Sequence, residues 1–549
     1  MPQLSLTTRL ARRGTAAALG AAVALGGAAA LPATALANHS QSAIIEDFND
    51  ITDPAGTLTQ FRELGATTVR VILPWQAIAP SPNATKKPNF NATDPSAYSA
   101  ASWAPFDNVI NTAQRLGLAV DLTVAGGAPR WAEASAPPKS SSVNNAYTAW
   151  KPNAAEYGQF MQAVGKRYSG TFVPKGQSAP LPRIHFWAIF NEPNFGQDLG
   201  PQASNDSTYF NAPIMYRQLV NAGWHALQTS GHGRDTILIG ELAAEGAEPG
   251  RFPKATGGLP GNYGQTRALL FIRDLYCVDT AFRPLRGGAA RATGCPTNAT
   301  GTRNFRGQNP GLFSASGFAD HPYDGGQSPV SQAGNKVDFA TFVDFGNLER
   351  TLDRANRTYG SGKHYMIYNT EYGEITSPPA ARKYPSAATA AYYINWAEYL
   401  SWKSGRVASY MQYLLKDPAP NSGAYNGFAS GLESYTGKPK ATYQAYELPV
   451  FMPHTSFSHT ANEEIWGNAR PATFMKKDGN GNQSVSIQVD GKTVKTTPVN
   501  GGYFDIHMKF ATGRHTVRLA YTFPKQDPFL PVSELGKTID SRSFTINVH

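Results

Sequence analysis

After residue 37 the chain contains no apolar run that approaches the roughly 18–20 residues of a membrane span. Its one long apolar stretch ends near Leu31, follows three arginines and precedes Ala35-Leu36-Ala37. A basic start, an apolar middle and a small-residue end are typical of a secretory signal peptide. We therefore predict that residues 1–37 are a signal peptide cleaved near Ala37, and that the mature protein is secreted without a membrane span. The Arg12-Arg13 pair leaves both general secretory and twin-arginine export open.

Cysteine is almost absent, since Cys277 and Cys295 are the only two in 549 residues. Because no histidine lies close to them in the sequence, they do not form a zinc site of the usual Cys and His ligands. In a secreted protein two cysteines are expected to pair. We predict a Cys277–Cys295 disulfide, which stabilises the fold by about 3 kcal/mol through the loop that it closes.

The chain also lacks a concentration of charge of one sign. Its formal net charge is +10, and removal of residues 1–37, which hold three arginines and no acidic residue, leaves +7. No arginine-rich segment and no stripe of basic and aromatic residues stands out. These are the usual signs of a nucleic-acid-binding surface. We therefore predict no nucleic-acid partner and an ordinary solvated surface.

From residue 42 to about residue 452, short β-branched runs alternate with amphipathic segments. Alternation of this kind is typical of parallel strands joined by crossover helices. No glycine-rich phosphate loop follows the first strand, which disfavours a doubly wound open sheet. Eight repeats predict an α/β fold, a (β/α)₈ TIM barrel over residues 38–452. The predicted strands cover residues 43–47, 68–73, 119–124, 184–190, 236–240, 315–319, 365–369 and 407–413.

The pattern changes after Pro453, where apolar and polar residues alternate with a period of two. Val485, Ile487 and Val489 show this alternation, and turn-forming clusters separate the segments. The pattern predicts a small all-β sandwich domain over residues 453–549. Because its aromatic residues fall partly on the inner face, we expect it to brace the barrel, with carbohydrate binding as the alternative. Trp466 is a candidate for the contact between the domains.

The segment from His185 to Gly196, HFWAIFNEPNFG, holds the first candidate catalytic residue. An aromatic and β-branched run ends abruptly in Asn191-Glu192-Pro193, which reads as a buried strand that opens into a loop. Proline stops the strand because it removes a ladder donor and fixes φ. A carboxylate at this point is costly unless it is hydrogen-bonded or functional. We therefore select Glu192 as a site residue.

Polar residues that follow barrel strands lie at the catalytic face. Glu371 ends the seventh strand, so it faces Glu192 of the fourth strand across the barrel mouth. Glu374 is its rival but already lies in the loop. The other residues associated with strands or their ends are Arg70, Trp75, Trp131, Asn191, His321, Tyr323, Gln412 and Tyr413. Glu46, Asp47 and Glu241 also end strands, and we expect one of them to form a substrate subsite and the others to be structural.

Paired carboxylates of this kind are what glycoside cleavage requires. One carboxylic acid protonates the leaving oxygen, while a second, ionised carboxylate attacks the anomeric carbon or activates water. We expect Arg70 and the Tyr323 hydroxyl to hold Glu371 ionised. Asn191 is placed to bind a sugar hydroxyl, and His321 to line the site or to be structural. Trp75 and Trp131 are predicted to stack on sugar rings.

FNEPN at 190–194 and NTEYG at 369–373 resemble the acid/base and nucleophile signatures of glycoside hydrolase clan A. Arg70 and HPY at 321–323 resemble further marks of the clan. The resemblance covers about residues 42–450 and is strongest to families 5 and 39 and their actinobacterial relatives. It implies a retaining hydrolase with Glu192 as acid/base and Glu371 as nucleophile, without metal or organic cofactor. Strand eight departs from the family 5 pattern, because Tyr413 and Gln412 stand where a tryptophan is common.

The resemblance favours a family 39-like exo-glycosidase that acts on an oligosaccharide or polysaccharide. An endo-acting glucanase or mannanase and a non-catalytic carbohydrate-binding protein are the alternatives. A metal-dependent barrel hydrolase is disfavoured, because it requires histidine pairs at strand ends and only His321 is so placed. The sugar, the linkage and the oligomeric state stay open.

Overall fold

The structure, a computed structural model, describes residues 38, 40–135, 148–204, 209–247, 261–331, 337–380, 384–420, 428–475 and 483–549. The predicted signal peptide and one of the turn-forming clusters of the C-terminal region, residues 478–482, lie outside these ranges. Among the helices described, none combines the length and the apolar character needed to cross a bilayer.

Eight parallel strands close into a barrel in chain order, which confirms the predicted (β/α)₈ fold. Each predicted strand overlaps an observed one, and bounds differ by at most a few residues. The buried runs of these strands are rich in valine, isoleucine and leucine, as expected when both faces of a sheet are covered. The strands are β1 Ser42–Glu46, β2 Thr68–Pro74, β3 Ala119–Ala125, β4 Phe186–Ile189, β5 Thr236–Ala243, β6 Gly317–His321, β7 Met366–Asn369 and β8 Val407–Tyr413.

Helices follow the strands and cover the barrel with their apolar faces. In the third helix, for example, Trp103, Phe106 and Ile110 recur at helical spacing and are all buried. The helices are α1 Pro54–Glu63, α2 Trp75–Ile78, α3 Ala100–Arg115, α4 Ala154–Arg167, α5 Ala212–Thr229, α6 Ala268–Leu275, α7 Gly287–Ala292, α8 Ala299–Gln308, α9 Pro310–Ser314, α10 Phe345–Thr358, α11 Ala387–Lys403, α12 Ala441–Glu447 and α13 Ala472–Met475.

The C-terminal region is all-β apart from α13, and its strands form two sheets, β10-β17-β15-β12-β13 with β16 at β15, and β14-β11-β9. The first of these strands, β9, lies before the predicted boundary at residue 453. The strands are β9 Val450–Phe451, β10 Ser456–Phe457, β11 Glu463–Asn468, β12 Ser484–Val489, β13 Lys492–Pro498, β14 Tyr503–Met508, β15 Gly513–Thr522, β16 Thr538–Asp540 and β17 Phe544–Val548.

Aromatic packing and a buried ion pair join the C-terminal sheets to α11. The Trp466 ring centroid lies 5.7 Å from Tyr399 and 5.9 Å from Trp402, which confirms the contact predicted for Trp466. Beside it, Arg470 Nη2 lies 2.6 Å from Glu398 Oε2, with both side chains almost fully buried. The predicted disulfide is also present, with Cys277 and Cys295 sulfurs 2.01 Å apart. The Trp466 packing and the ion pair connect the C-terminal sheets to α11, and the disulfide connects the segments that follow α6 and α7.

Candidate active site

A strained turn at the end of β4 sets the position of Glu192. Phe190 and Glu192 have φ angles of 73° and 35°, in the left-handed region that non-glycine residues rarely adopt. The Phe190 amide donates to Val124 O of β3 at 3.1 Å, which anchors the turn to the barrel. Pro193 follows and prevents the strand from continuing. The turn therefore points the Glu192 side chain into the barrel mouth, where strain of this kind is typical of functional sites.

Arg70 of β2 is fully buried at the centre of the site and binds four side chains through its two terminal nitrogens. Nη1 donates to Glu46 Oε2 at 2.9 Å and to Glu371 Oε2 at 2.7 Å. Nη2 donates to Asn191 Oδ1 at 2.7 Å and to Glu241 Oε2 at 2.9 Å. Burial alone lowers the pKa of Arg70, but the surrounding carboxylates raise it well above its ordinary value. The guanidinium is therefore a fixed positive charge among carboxylates.

Glu371 receives two hydrogen bonds from the residues that the sequence associates with it. Arg70 binds one oxygen, and the Tyr323 hydroxyl donates to Glu371 Oε1 at 3.1 Å. One oxygen each of Glu192 and Glu371, together with a ring nitrogen of His321, lie within 4.8 Å of one another. This spacing suits the carboxyl separation of about 5–5.5 Å in retaining glycosidases better than the 6.5–9.5 Å of inverting ones.

His321, at the end of β6, bridges two carboxylates. Its Nδ1 lies 2.9 Å from Glu192 Oε1, and its Nε2 lies 3.1 Å from Glu241 Oε2. Burial alone lowers the pKa of His321, but Glu371, Glu192 and Glu241 raise it to about 10. At neutral pH the ring is therefore an imidazolium that donates to both partners. This places His321 within the site, where the sequence left a structural role open.

The Glu192, His321 and Glu371 set also has the spacing of a metal-ligand group. A histidine ligand must be neutral, with a free lone pair on one nitrogen. Here both ring nitrogens already contact carboxylates, and the Arg70 guanidinium occupies one oxygen of Glu371. The donor set therefore suits a proton-bearing network better than a divalent cation. The absence of a cofactor stays a prediction.

A cavity of about 200 Å³ opens beside Glu192. Tyr323 and Phe428 line one part of it, and Phe195, Glu245 and Asp324 line another. The volume is below the roughly 300–1,000 Å³ of pockets for drug-sized ligands, so it suits about one sugar unit. A wider cavity, about 610 Å³, lies against α3 and α4, away from these carboxylates, and belongs to a different face of the molecule.

An aromatic border of the cavity begins at Phe428, which lines it, and continues away from the cavity through Tyr413 to Phe48. Tyr413 is buried and contacts Phe428 edge-on at 5.4 Å and Phe48 edge-on at 6.1 Å. Phe428 is 37% exposed and Phe48 is 49% exposed, so both present open ring surface. An exposed ring beside a sugar-sized cavity offers a stacking face. Tyr413 thus supports the aromatic border, and Phe428 forms its exposed part.

The prediction that Trp75 stacks on a sugar is wrong. Trp75 is only 1% exposed, because it begins α2 directly after β2 and folds into the core. Its ring stacks on Phe160 at 5.8 Å and meets Trp131 edge-on at 6.0 Å. Trp131 is half-buried, its Nε1 donates to Pro80 O at 3.1 Å, and it does not line the described part of the 200 Å³ cavity. A sugar contact for Trp131 stays a prediction.

The other strand-end acids occupy places that the sequence did not distinguish. Glu46 and Glu241 both bind Arg70, whereas Asp47 accepts from the backbone amides of Asn49 and Lys416. Glu374 is buried and accepts from the Tyr372 hydroxyl at 2.5 Å. The positions of Glu46 and Glu241 at strand ends marked them as candidates in the sequence. That both bind Arg70 could not be predicted from those positions. Phe428 gave no signal, because it lies in a loop without periodicity.

Neither a protein-family model nor a curated protein matches the chain. Solved structures that resemble it include β-glucuronidase 2 of Bacteroides uniformis, 10% identical over 93% of this chain and 46% of that one, with a TM-score of 0.39. A family 39 glycoside hydrolase of Bacteroides cellulosilyticus WH2 is 12% identical over 86% of this chain and 80% of that one, with a TM-score of 0.45.

An exo-β-1,4-mannosidase of Opitutaceae bacterium strain TAV5 is 13% identical over 74% of this chain and 58% of that one, with a TM-score of 0.40. The chain spans less than half the length of the β-glucuronidase. At these identities the likeness concerns the fold alone, so the function has to be inferred from the chain's own site.

Proposed function

We propose that this protein is a retaining glycoside hydrolase that cleaves O-glycosidic bonds of an oligosaccharide or polysaccharide. The observation that carries the proposal is the pair Glu192 and Glu371, whose nearest oxygens and the His321 ring lie within 4.8 Å across the barrel mouth. Their surroundings differ, since Glu371 is held by Arg70 and Tyr323, and Glu192 by His321. Two carboxylates in different environments are what acid and nucleophile roles require.

In the first step Glu371 attacks the anomeric carbon while the Glu192 carboxylic acid gives its proton to the departing glycosidic oxygen. The C–O bond to the leaving group breaks, and a glycosyl ester forms on Glu371. In the second step Glu192, now a carboxylate, takes a proton from water, whose oxygen attacks the same carbon and releases Glu371. Asn191, held by Arg70, is oriented to bind a hydroxyl next to the reacting carbon.

The size of the cavity favours action at a chain end. A space of about 200 Å³ beside Glu192 suits one sugar unit, which agrees with an exo-glycosidase of the family 39 kind. An endo-acting glucanase or mannanase requires an open cleft with several subsites. A non-catalytic carbohydrate-binding protein is the alternative from another class, and it does not require the two carboxylates to lie close together.

The test is sugar release from a panel of aryl glycosides and polysaccharides, with wild type beside Glu371→Gln. We expect turnover to fall by about 10³ or more in this variant, because the nucleophile is lost. Glu374→Gln is the matched control: it alters a buried glutamate three residues away, and we expect it to retain most of the turnover. Activity should also survive a chelator. Sugar binding without turnover by the wild type would instead favour the binding-protein alternative.

A further inference from the structure

Strand β5 carries an irregularity next to the site. In its pairing with β6, Ile239 lies opposite Phe318 and Leu242 lies opposite Asp320, so β5 holds one residue more than its partner. The extra residue falls at Gly240 and Glu241, whose φ angles are 107° and 51°. Such a β-bulge redirects a side chain, and bulges are frequent beside active sites. A glutamate with a left-handed backbone is costly, so the conformation has to be held by its surroundings.

Tyr216 of α5 holds the bulge in place. The Gly240 amide donates to the Tyr216 hydroxyl at 2.7 Å, and that hydroxyl lies 3.2 Å from Ile189 O at the end of β4. An Ala at position 240 would bring its Cβ within 2.4 Å of Ala319 O, so the turn requires glycine there. The bulge is thus fixed to the strand that carries Glu192. As a result Glu241 points into the barrel with no exposed surface.

Glu241 is the shared partner of the two cations of the site. Its Oε2 accepts from Arg70 Nη2 at 2.9 Å and lies 3.1 Å from His321 Nε2. Arg70 in turn binds Glu371, and His321 binds Glu192. A buried carboxylate is strongly unfavourable unless it is paired, and this one is paired twice. One side chain therefore connects the group that holds the proposed nucleophile with the group that holds the proposed acid/base.

We propose that Glu241 is a positioning residue of the proposed hydrolysis: through the β5 bulge it holds His321 as a charged donor to Glu192 and Arg70 as a donor to Glu371. This inference rests on the proposed function. Glu241 itself does not reach the described lining of the cavity. Its effect falls mainly on the second step, because an imidazolium stabilises the carboxylate form of Glu192 that activates water.

The charged groups that face this pair lie on most of the barrel strands. His321 is surrounded by Glu192, Glu241 and Glu371, with Asp320 beside it in the chain. It also interacts electrostatically with Glu46, Asp121 and Asp198. Glu241 is surrounded by Arg70, His321 and Asp121 of the third strand. Loss of the Glu241 charge removes one of the carboxylates that raise the pKa of His321. The ring then loses its proton at lower pH, and the basic limb of kcat moves toward neutrality.

The experiment compares Glu241→Gln with Glu46→Gln in the full chain. Each variant removes one buried carboxylate from Arg70, but Glu46 has no described hydrogen bond to His321, which makes it the matched control. Two readouts are taken, the pH profile of kcat and the His321 pKa from NMR of histidine-labelled protein. For Glu241→Gln we expect the His321 pKa and the basic limb to fall by about one unit or more, and kcat to fall about 10²-fold with little change in KM. Glu46→Gln should shift the His321 pKa and the basic limb of kcat by less.

Glu241→Asp keeps the charge and should restore most of the His321 pKa while kcat stays low, because the shorter side chain misplaces the ring. Equal His321 pKa values in the two glutamine variants, with only lower stability for Glu241→Gln, would overturn the proposal. So would a wild-type His321 that titrates near its ordinary value, a result that needs no variant to fold. The NMR readout requires no turnover, so a failure of the proposed hydrolase activity is recognised separately, by the substrate panel.

Discussion

At the scale of single residues, glutamates of one site differ because their neighbours differ. Glu46 and Glu371 both touch Nη1 of Arg70, at 2.9 Å and 2.7 Å. Glu371 also accepts from Tyr323 at the barrel mouth. Burial raises the pKa of Glu46 from 4.5 to about 7, against the charge of Arg70. Glu46 thus changes its protonation state near neutral pH, and this change affects the stability of the fold.

The raised pKa of Glu46 predicts a pH-dependent effect of Glu46→Gln. A carboxyl whose pKa is raised in the folded state binds more protons there than in the unfolded state, so the wild type loses stability as pH rises from about 4.5 through 7. The variant lacks this loss. We expect its free energy of unfolding to gain on the wild type by on the order of 3 kcal/mol between pH 5 and pH 8. Denaturant unfolding of both proteins at pH 5 and at pH 8 measures this. The same difference in free energy of unfolding at the two pH values would contradict the prediction.

Phe428 gives a second prediction at this scale. Its exposed ring borders the cavity beside Glu192. If a sugar stacks on it, Phe428→Ala removes aromatic contact worth about 0.5–1.5 kcal/mol. We therefore expect KM to rise by a factor of about 2–12 while kcat changes little. Steady-state kinetics on the substrate found in the panel measures this, with Phe48→Ala as the comparison outside the cavity lining. An equal rise in KM for Phe428→Ala and Phe48→Ala would contradict a specific contact between Phe428 and the sugar.

At the scale of elements, the sequence predicts the eight strands because each is a buried β-branched run that ends in turn-forming residues. Helix and strand alternation then predicts the barrel, and the barrel predicts that Glu192 and Glu371 face each other. The bulge at Gly240 and Glu241 is not predictable in this way, since it depends on pairing with β6 and on Tyr216. Trp75 fails for a related reason: a residue after a strand end can turn into the core when a helix begins there.

The Cys277–Cys295 disulfide is expected to stabilise the fold without affecting catalysis. Cys277 and Cys295 close a loop that contains α7, on the helical layer. Cys277→Ser with Cys295→Ser frees this loop in the unfolded state and should lower the free energy of unfolding by about 3 kcal/mol. Because neither cysteine contacts the described site, kcat at a temperature well below the transition should stay close to that of the wild type. Calorimetry and kinetics on the same preparation separate the two effects.

At the scale of the whole molecule, the C-terminal sheets and the barrel share a buried contact around Trp466. Trp466 packs on Tyr399 and Trp402, and the ion pair of Arg470 and Glu398 lies beside it, out of contact with solvent. A contact of this kind is typical of a domain that braces its neighbour. The proposal that the sheets brace the barrel therefore has a structural basis independent of any carbohydrate contact.

This contact predicts that Trp466→Ala destabilises the molecule as a unit. Truncation of a fully buried tryptophan costs about 3–5 kcal/mol. We expect one unfolding transition at a lower temperature, seen alike by barrel activity and by circular dichroism. Thr496→Ala, on an exposed edge of β13, is the control and should leave the transition in place. Two separate transitions in the Trp466 variant would show that the sheets do not support the barrel.

A double displacement by Glu192 and Glu371 determines the stereochemistry of the first-formed product, so that stereochemistry tests the proposed function. Proton NMR, recorded during the first minutes of hydrolysis of a substrate of known anomeric configuration, reports that product before mutarotation. Retention of configuration is the predicted result, because two displacements restore the original anomer. An inverted product would contradict the nucleophilic role of Glu371 and would assign it the activation of water instead.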